Sequence, residues 1–202
     1  MSVAVVTGSS SGIGAKTAET LAATVYSVIL HAHRNLHGLQ TTARRIQTQA
    51  KAEGREVQVL CITANLADSA ARRDLVDAAF AWKGSVSAWI NNAGVDVLTG
   101  GRGKLAFEDR LALLWQVDVA GTIHLSRLVT ARMQRQQVRA AGAELGCAAD
   151  AAPSIVNIGW DQALLGMEGD AGQLFCPTKG AIIAFTRALA LSVAPQIRVN
   201  CV

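Results

Sequence analysis

The chain has 202 residues, enough for one compact α/β domain and too few for a comfortable pair. Half are hydrophobic and only 17% are charged, which excludes a disordered chain. A net charge of +4, 4% aromatics and arginines spread along the chain argue against a nucleic-acid partner, and no apolar run approaches the ~20 residues of a membrane span.

Met1-Ser2-Val3 shows no charged, cleavable leader, so a cytoplasmic location is expected. Cys61, Cys147, Cys176 and Cys201 are far apart, with no CxxC pair and no zinc-like histidine spacing. They read as reduced, structural thiols, and no metal site is expected.

Val3 to Val6 is a short apolar run that reads as a strand buried on both faces. A helix follows from Ile13 to about Ala23, then a second strand from Tyr26 to Leu30 and a polar helix from about Leu36 to Glu53. Val57 to Ile62 is a third strand, and Asp68 caps a helix reaching about Trp82. A fourth strand, Val86 to Ile90, runs into Asn91-Asn92-Ala93-Gly94, and one long helix is expected from Leu105 to Arg135. Gln136 to Pro153 reads as helix tail and loop, Ser154 to Ile158 as a fifth strand, Gln173 to Ala194 as a helix and Ile197 to Val202 as a sixth strand. Strands and helices alternating in this way predict a doubly wound parallel sheet, the Rossmann arrangement, with residues 1–202 as one domain.

The first strand feeds Thr7-Gly8-Ser9-Ser10-Ser11-Gly12-Ile13-Gly14 directly ahead of a helix. Glycines let the backbone turn tightly and approach an anion, and the unpaired N–H groups and dipole of the helix N-terminus favour a pyrophosphate there.

Thr7-Gly8-x-x-x-Gly12-Ile13-Gly14 resembles the TGxxxGIG signature of the short-chain dehydrogenase/reductase family. Asn91-Asn92-Ala93-Gly94, Lys179-Gly180 and Ile197-Arg198-Val199-Asn200 fit the same template, so the resemblance spans the chain from Val3 to Val202. It implies a Rossmann fold, a nicotinamide dinucleotide and oxidoreductase activity. The cofactor contacts it implies are Gly8, Ser10, Ser11, Gly12, Ile13 and Gly14 in the turn, Asn65 and Leu66 at the adenine, Asn92, Ala93 and Gly94 after the fourth strand, and Lys179.

An acidic residue ending the second strand would bond the ribose hydroxyls of NAD and repel a 2′-phosphate. The sequence there is His31-Ala32-His33-Arg34-Asn35, with no carboxylate. Arg34 can take a phosphate bidentately and His33 can add a donor, which favours NADP over NAD; otherwise Arg34 is a solvated helix-start residue.

The catalytic positions of the family depart from its pattern. Lys179 matches, but the tyrosine position holds Phe175, the serine region Asn157-Ile158-Gly159-Trp160-Asp161 has no hydroxyl, and the asparagine position holds Asp118. Tyr26 is the only tyrosine and starts the second strand, at the sheet end remote from ligands. Asp161 either relays protons with Lys179, as in the similar pterin-reducing members, or caps a turn. Asp118 either joins the chemistry or only salt-bridges Lys179.

Family members continue past the sixth strand, so that strand is expected at an exposed sheet edge. A homodimer is expected through the outer faces of the two long helices, with Leu125, Leu128, Ile183 and Phe185 in contact. Two functions stand: an NADP-type oxidoreductase with an altered centre, suited to pterin-like or quinone-like acceptors, and a non-catalytic nucleotide-binding sensor or scaffold. A third reading is a degenerate product that folds and binds nothing.

Overall fold

Val3 and Val5 point to one side of strand β1 (Val3–Val6) and Ala4 and Val6 to the other, and all four are fully buried. A strand apolar on both faces needs a layer of helices on each, and the chain supplies them. The computed structural model describes residues 3–24, 27–142 and 152–202. Along these the order is β1, α1 (Gly12–Ala22), β2 (Ser27–Ala32), α2 (Leu36–Ala52), β3 (Gln58–Thr63), α3 (Ser69–Lys83) and β4 (Ala88–Asn91). Then come α4 (Phe107–Leu114), α5 (Gly121–Gly142), β5 (Ser154–Asn157), α6 (Gln162–Leu165), α7 (Gly169–Val193) and β6 (Arg198–Cys201).

The six strands are all parallel in the order β3-β2-β1-β4-β5-β6, with Val5 paired to Ile29 on one side and Trp89 on the other. The order reverses at β1, and the carboxyl ends of β1 and β4 open the crevice where such sheets take ligands. Trp89, Ile155, Leu125, Val129 and Met133 build the core under α3, α5 and α7, while Leu30, Leu39, Ile46 and Ile90 build the one under α1 and α2. Gly14, Ala15, Ala18 and Ala22 line the buried face of α1, so the helix can lie close to the sheet.

A polar chain runs through the larger core. Trp89 Nε1 donates to Asn91 Oδ1 (2.8 Å), Asn91 Nδ2 to Asn157 Oδ1 (2.8 Å) and Ser126 Oγ (3.0 Å), and Asn157 Nδ2 to Thr186 Oγ1 (2.9 Å). These buried groups satisfy one another and fix β4 and β5 against α5 and α7, which positions the crevice.

Three expectations change. The helix expected from Leu105 to Arg135 is instead α4, a π-helical turn at Trp115–Ala120 and α5, preceded by a 3₁₀ turn at Arg102–Lys104. The helix expected to begin at Gln173 begins at Gly169, preceded by the short α6. The helix tail expected after Arg135 is present and runs to Gly142; positions 143–151 of the expected loop, with Cys147, lie outside the described residues, as does Tyr26. Leu125 is not on an outer face: it is 1% exposed in the core, with Leu128 and Phe185 packed against that core. Asp68 caps α3 as expected, accepting from the N–H of Ala70 (2.8 Å), and β6 forms one edge of the sheet. Helix α7 is long and apolar enough to cross a bilayer by composition; its buried side, including Leu174, Ile182 and Leu189, packs into this domain.

Candidate functional site

The turn between β1 and α1 is stitched to the segment after β4. Thr7 Oγ1 accepts the N–H groups of Asn92 and Ala93 (3.0 Å each), and Asn92 Nδ2 donates to the carbonyls of Thr7 (2.9 Å) and Gly8 (3.2 Å). The approach is so close that a Cβ on Gly8, whose φ is +67°, would stand 2.7 Å from Ala93 Cα. One on Gly14 would stand 2.3 Å from the Gly8 carbonyl oxygen. The side chain of Asn92 thus holds the turn's backbone, a role distinct from direct cofactor contact. Ser11 caps α1 in extended conformation without a side-chain bond, which leaves the N–H groups of Gly12, Ile13 and Gly14 without intrahelical acceptors.

A cleft of about 690 Å³ opens above this turn. Gly8, Ser10, Ser11, Ile13 and Gly14 line one wall, His33 and Arg34 one end, and Asn65, Leu66, Asn92, Ala93 and Gly94 the remainder. Its size lies within the range of cofactor sites, and bare backbone meets open space where an anion would sit. The residues present therefore fit a dinucleotide. Asn65 Oδ1 accepts the Ala67 N–H (3.1 Å), and its amide N–H groups remain as donors for a ligand.

His31 supports the cradle from behind. It is 1% exposed; its Nδ1 accepts the Gly8 N–H (3.4 Å) and its Nε2 donates to the Ala64 carbonyl (3.0 Å). Accepting the Gly8 N–H requires the neutral ring, with its proton on Nε2. Burial, against a partial opposing pull from Ala64, lowers its pKa from 6.5 to about 4. The unfolded chain therefore takes this proton first as pH falls. His31's contribution is intact above pH 6.5 and is lost between there and about pH 4, by about 3 kcal/mol. Urea melts from pH 7 to 4 should show that loss, and His31→Gln should remove most of that part of the slope.

Residues that sequence reading missed also line the cleft: His31, Asp96, Arg102, Gln116 and Val117. Gln116 and Val117 reach it through the π-helical turn, which no apolar periodicity announces. The signal for Arg102 was its run of glycines, Gly100-Gly101-Arg102-Gly103.

Beside the cleft, Asp118 is 3% exposed. Its Oδ1 accepts the Val95 N–H (2.9 Å), and its Oδ2 lies 3.6 Å from Lys179 Nζ, which also donates to the Ile158 carbonyl (3.1 Å). Burial pushes the Asp118 carboxyl up, with the Lys179 ammonium and the Val95 N–H pulling it partly back. A Cβ on Gly94 would stand 2.8 Å from Asp118 Oδ2, so the pair lies directly behind the cleft's Gly94. Neither Asp118 nor Lys179 lines the cleft itself.

Phe175 packs edge-on to Trp160, with ring centroids 6.2 Å apart. Asp161 is not brought to Lys179. It is exposed, caps α6 by accepting the Gln162 N–H (2.9 Å), and borders a separate groove of about 450 Å³ with Trp160 and Leu164. Its position after β5 suggested a partner for the lysine; the loop instead turns it outward as a cap. Cys176 Sγ faces the Gln162 carbonyl (3.4 Å), the structural placement expected for it.

A parallel sheet that reverses at β1, with a glycine turn locked against β4's end, defines an α/β protein of the Rossmann type. The chain belongs to the short-chain dehydrogenase family, whose model, described as short chain dehydrogenase, matches residues 2–202. It is similar to the "Uncharacterized oxidoreductase YgfF" of Escherichia coli (strain K12), at 31% identity over all of this chain and 74% of that one. A short-chain dehydrogenase from Burkholderia cenocepacia J2315, solved in complex with NADP, matches with a TM-score of 0.74 and 28% identity, over 98% of this chain and 71% of that one. On the fold alone, a 3-ketoacyl-(acyl-carrier-protein) reductase from Brucella melitensis complexed with NADH matches with a TM-score of 0.78 and 23% identity, over 99% and 74%. Members of this family use NAD(P) cofactors.

Proposed function

We propose that this chain is an NADP(H)-preferring oxidoreductase whose centre works without a phenolic acid, reducing quinone-like or pterin-like acceptors that take their protons from water. The observation that carries this reading is the turn from Gly8 to Gly14, locked by Asn92 into a cradle with open amides. The cofactor, when bound, supplies hydride. The N–H groups at the start of α1 hold its diphosphate, Arg34 and His33 take the 2′-phosphate, and the Asn65 amide donates to the adenine. The absence of a carboxylate at the end of β2, together with the NADP bound to the Burkholderia relative, supports the preference.

Phe175 has no proton to give, and its ring packs edge-on against Trp160. Lys179 and Asp118 hold each other and tie Ile158 to Val95 across the crevice, so they position the floor. Phenylalanine at position 175 favours a second reading, a nucleotide-binding sensor or scaffold without turnover.

Fluorescence titration with NADPH and NADH, followed by NADPH oxidation assays with quinone, pterin and simple ketone acceptors, tests both readings. NADPH should bind about tenfold or more tighter than NADH, as a charge-assisted phosphate contact implies, and quinones should outpace ketones. Binding without turnover on any acceptor would select the sensor. No binding of either nucleotide at millimolar concentration would overturn both.

A further inference from the structure

The loop between β4 and α4 is built to hold one side chain over the cleft. Asp96 Oδ1 accepts the N–H groups of Leu98 (2.9 Å) and Thr99 (3.1 Å), and its Oδ2 accepts the Thr99 hydroxyl. The Gly103 N–H donates to the Thr99 carbonyl (3.1 Å), and a Cβ on Gly103 would stand 2.4 Å from the Leu98 carbonyl oxygen. Between these ties sits Arg102, at the head of a single 3₁₀ turn, lining the same cleft as His33 and Arg34.

Three basic side chains therefore converge on one cleft from two separate loops. Among the described residues none of the three has an ion pair. The carboxylate of Arg102's own loop, Asp96, has both oxygens engaged in the turn. Their mutual repulsion is felt: after burial, the charges of Arg34 and then Arg102 hold the His33 imidazole below its ordinary pKa. Asp96, whose carboxyl is held below its usual range by the Thr99 hydroxyl and, in smaller part, by Arg102, is engaged in the turn. The excess of positive charge among the three basic side chains suits a small dianion that occupies the gap.

We propose that Arg102 is a second guanidinium for the 2′-phosphate of the cofactor, reaching it from the loop after β4 while Arg34 reaches it from the loop after β2. The inference rests on the cofactor reading above and adds a selectivity residue to it. The diphosphate is a poorer candidate for this side chain, because the backbone amides of the Gly8–Gly14 turn already serve it, whereas Arg102 lines the cleft together with His33 and Arg34, which follow β2. Two guanidinium groups on a phosphate monoester give fork-like contacts from both sides, and NADH, lacking that phosphate, has nothing for the second one to hold.

The test is the affinity of Arg102→Ala, Arg102→Lys and Arg34→Ala for NADPH and NADH, by fluorescence titration at low and high salt. Arg102 is exposed, so the variants should fold, which thermal melts would check. Arg102→Ala should weaken NADPH about tenfold and NADH less than about twofold, and should flatten the salt dependence of NADPH binding. Arg102→Lys should recover part of the loss. Equal losses for both nucleotides, or none, would overturn the proposal. An NADPH preference that collapses in Arg34→Ala but persists in Arg102→Ala would overturn it while leaving the cofactor reading intact. Binding of neither nucleotide by the unaltered protein would end both.

Discussion

Gly14→Ala is expected to weaken dinucleotide binding about 100-fold. Its new Cβ would meet the Gly8 carbonyl oxygen at 2.3 Å and Asn92 Nδ2 at 2.4 Å. The first is backbone and cannot rotate away; the second is the amide that holds the turn closed through Thr7 and Gly8. Relief requires α1 to move off β1 or the Asn92 bonds to break, and either spreads the amides that would face a diphosphate. Overpacking of this severity costs about 3 kcal/mol, which is the factor of 100. Gly12→Ala is the matched control. A Cβ there meets nothing within 4 Å, and only the left-handed φ of +56° is strained, by roughly 1–2 kcal/mol. Isothermal titration of both variants should rank them clearly. If Gly14→Ala bound as tightly as the native chain, the cradle would not be the binding element.

Phe175→Tyr combined with Asp118→Asn should raise ketone reduction by about 10²–10⁴-fold over the native chain, the usual yield of a positioned acid. Phe175→Tyr alone should gain about tenfold less. In the family pattern a lysine lowers the phenol's pKa. Here the Lys179 ammonium already faces the buried Asp118 carboxylate at 3.6 Å and gives the Ile158 carbonyl another of its protons. A phenol restored beside that neutralised pair gains little help, whereas a neutral amide at 118 leaves the ammonium's charge for the phenol. An opposite charge at such range moves a pKa by 1–3 units. The pH profile of kcat/KM for reduction should therefore fall off at lower pH in the double variant than in the single one. Identical profiles would mean that the 118 carboxylate has no electrostatic hold on the centre.

Much of the fold was legible because its determinants are local. Alternation along β1, the glycines of the first turn and the Asp68 cap each act within a few residues, and together they leave few ways to order the sheet. The cofactor cleft was legible for the same reason, its amides belonging to one contiguous segment. What was illegible depends on contacts between distant segments. Asp161 and Asp118 are both acidic residues near Lys179 in the template; only packing separates an outward cap from a buried ion pair. Arg102 enters the cleft through a loop whose path is set by Asp96 and Gly103. Leu125 reads as an outer-face residue only if the helix is taken as one unbroken spiral.

It is not one. A π-helical turn accommodates about one extra residue, and a residue subtends about 100°. The insertion at Trp115–Ala120 therefore rephases the arm: Leu111 and Leu114 before it address the small cluster of Val97 and Leu174, while Leu125, Val129 and Met133 beyond it address the sheet. Two apolar stripes that would diverge on a regular spiral are each brought to their own neighbour. The widened turn also carries Asp118 at the junction between them, so a length change of one residue there would be transmitted to both stripes and to the buried carboxylate at once.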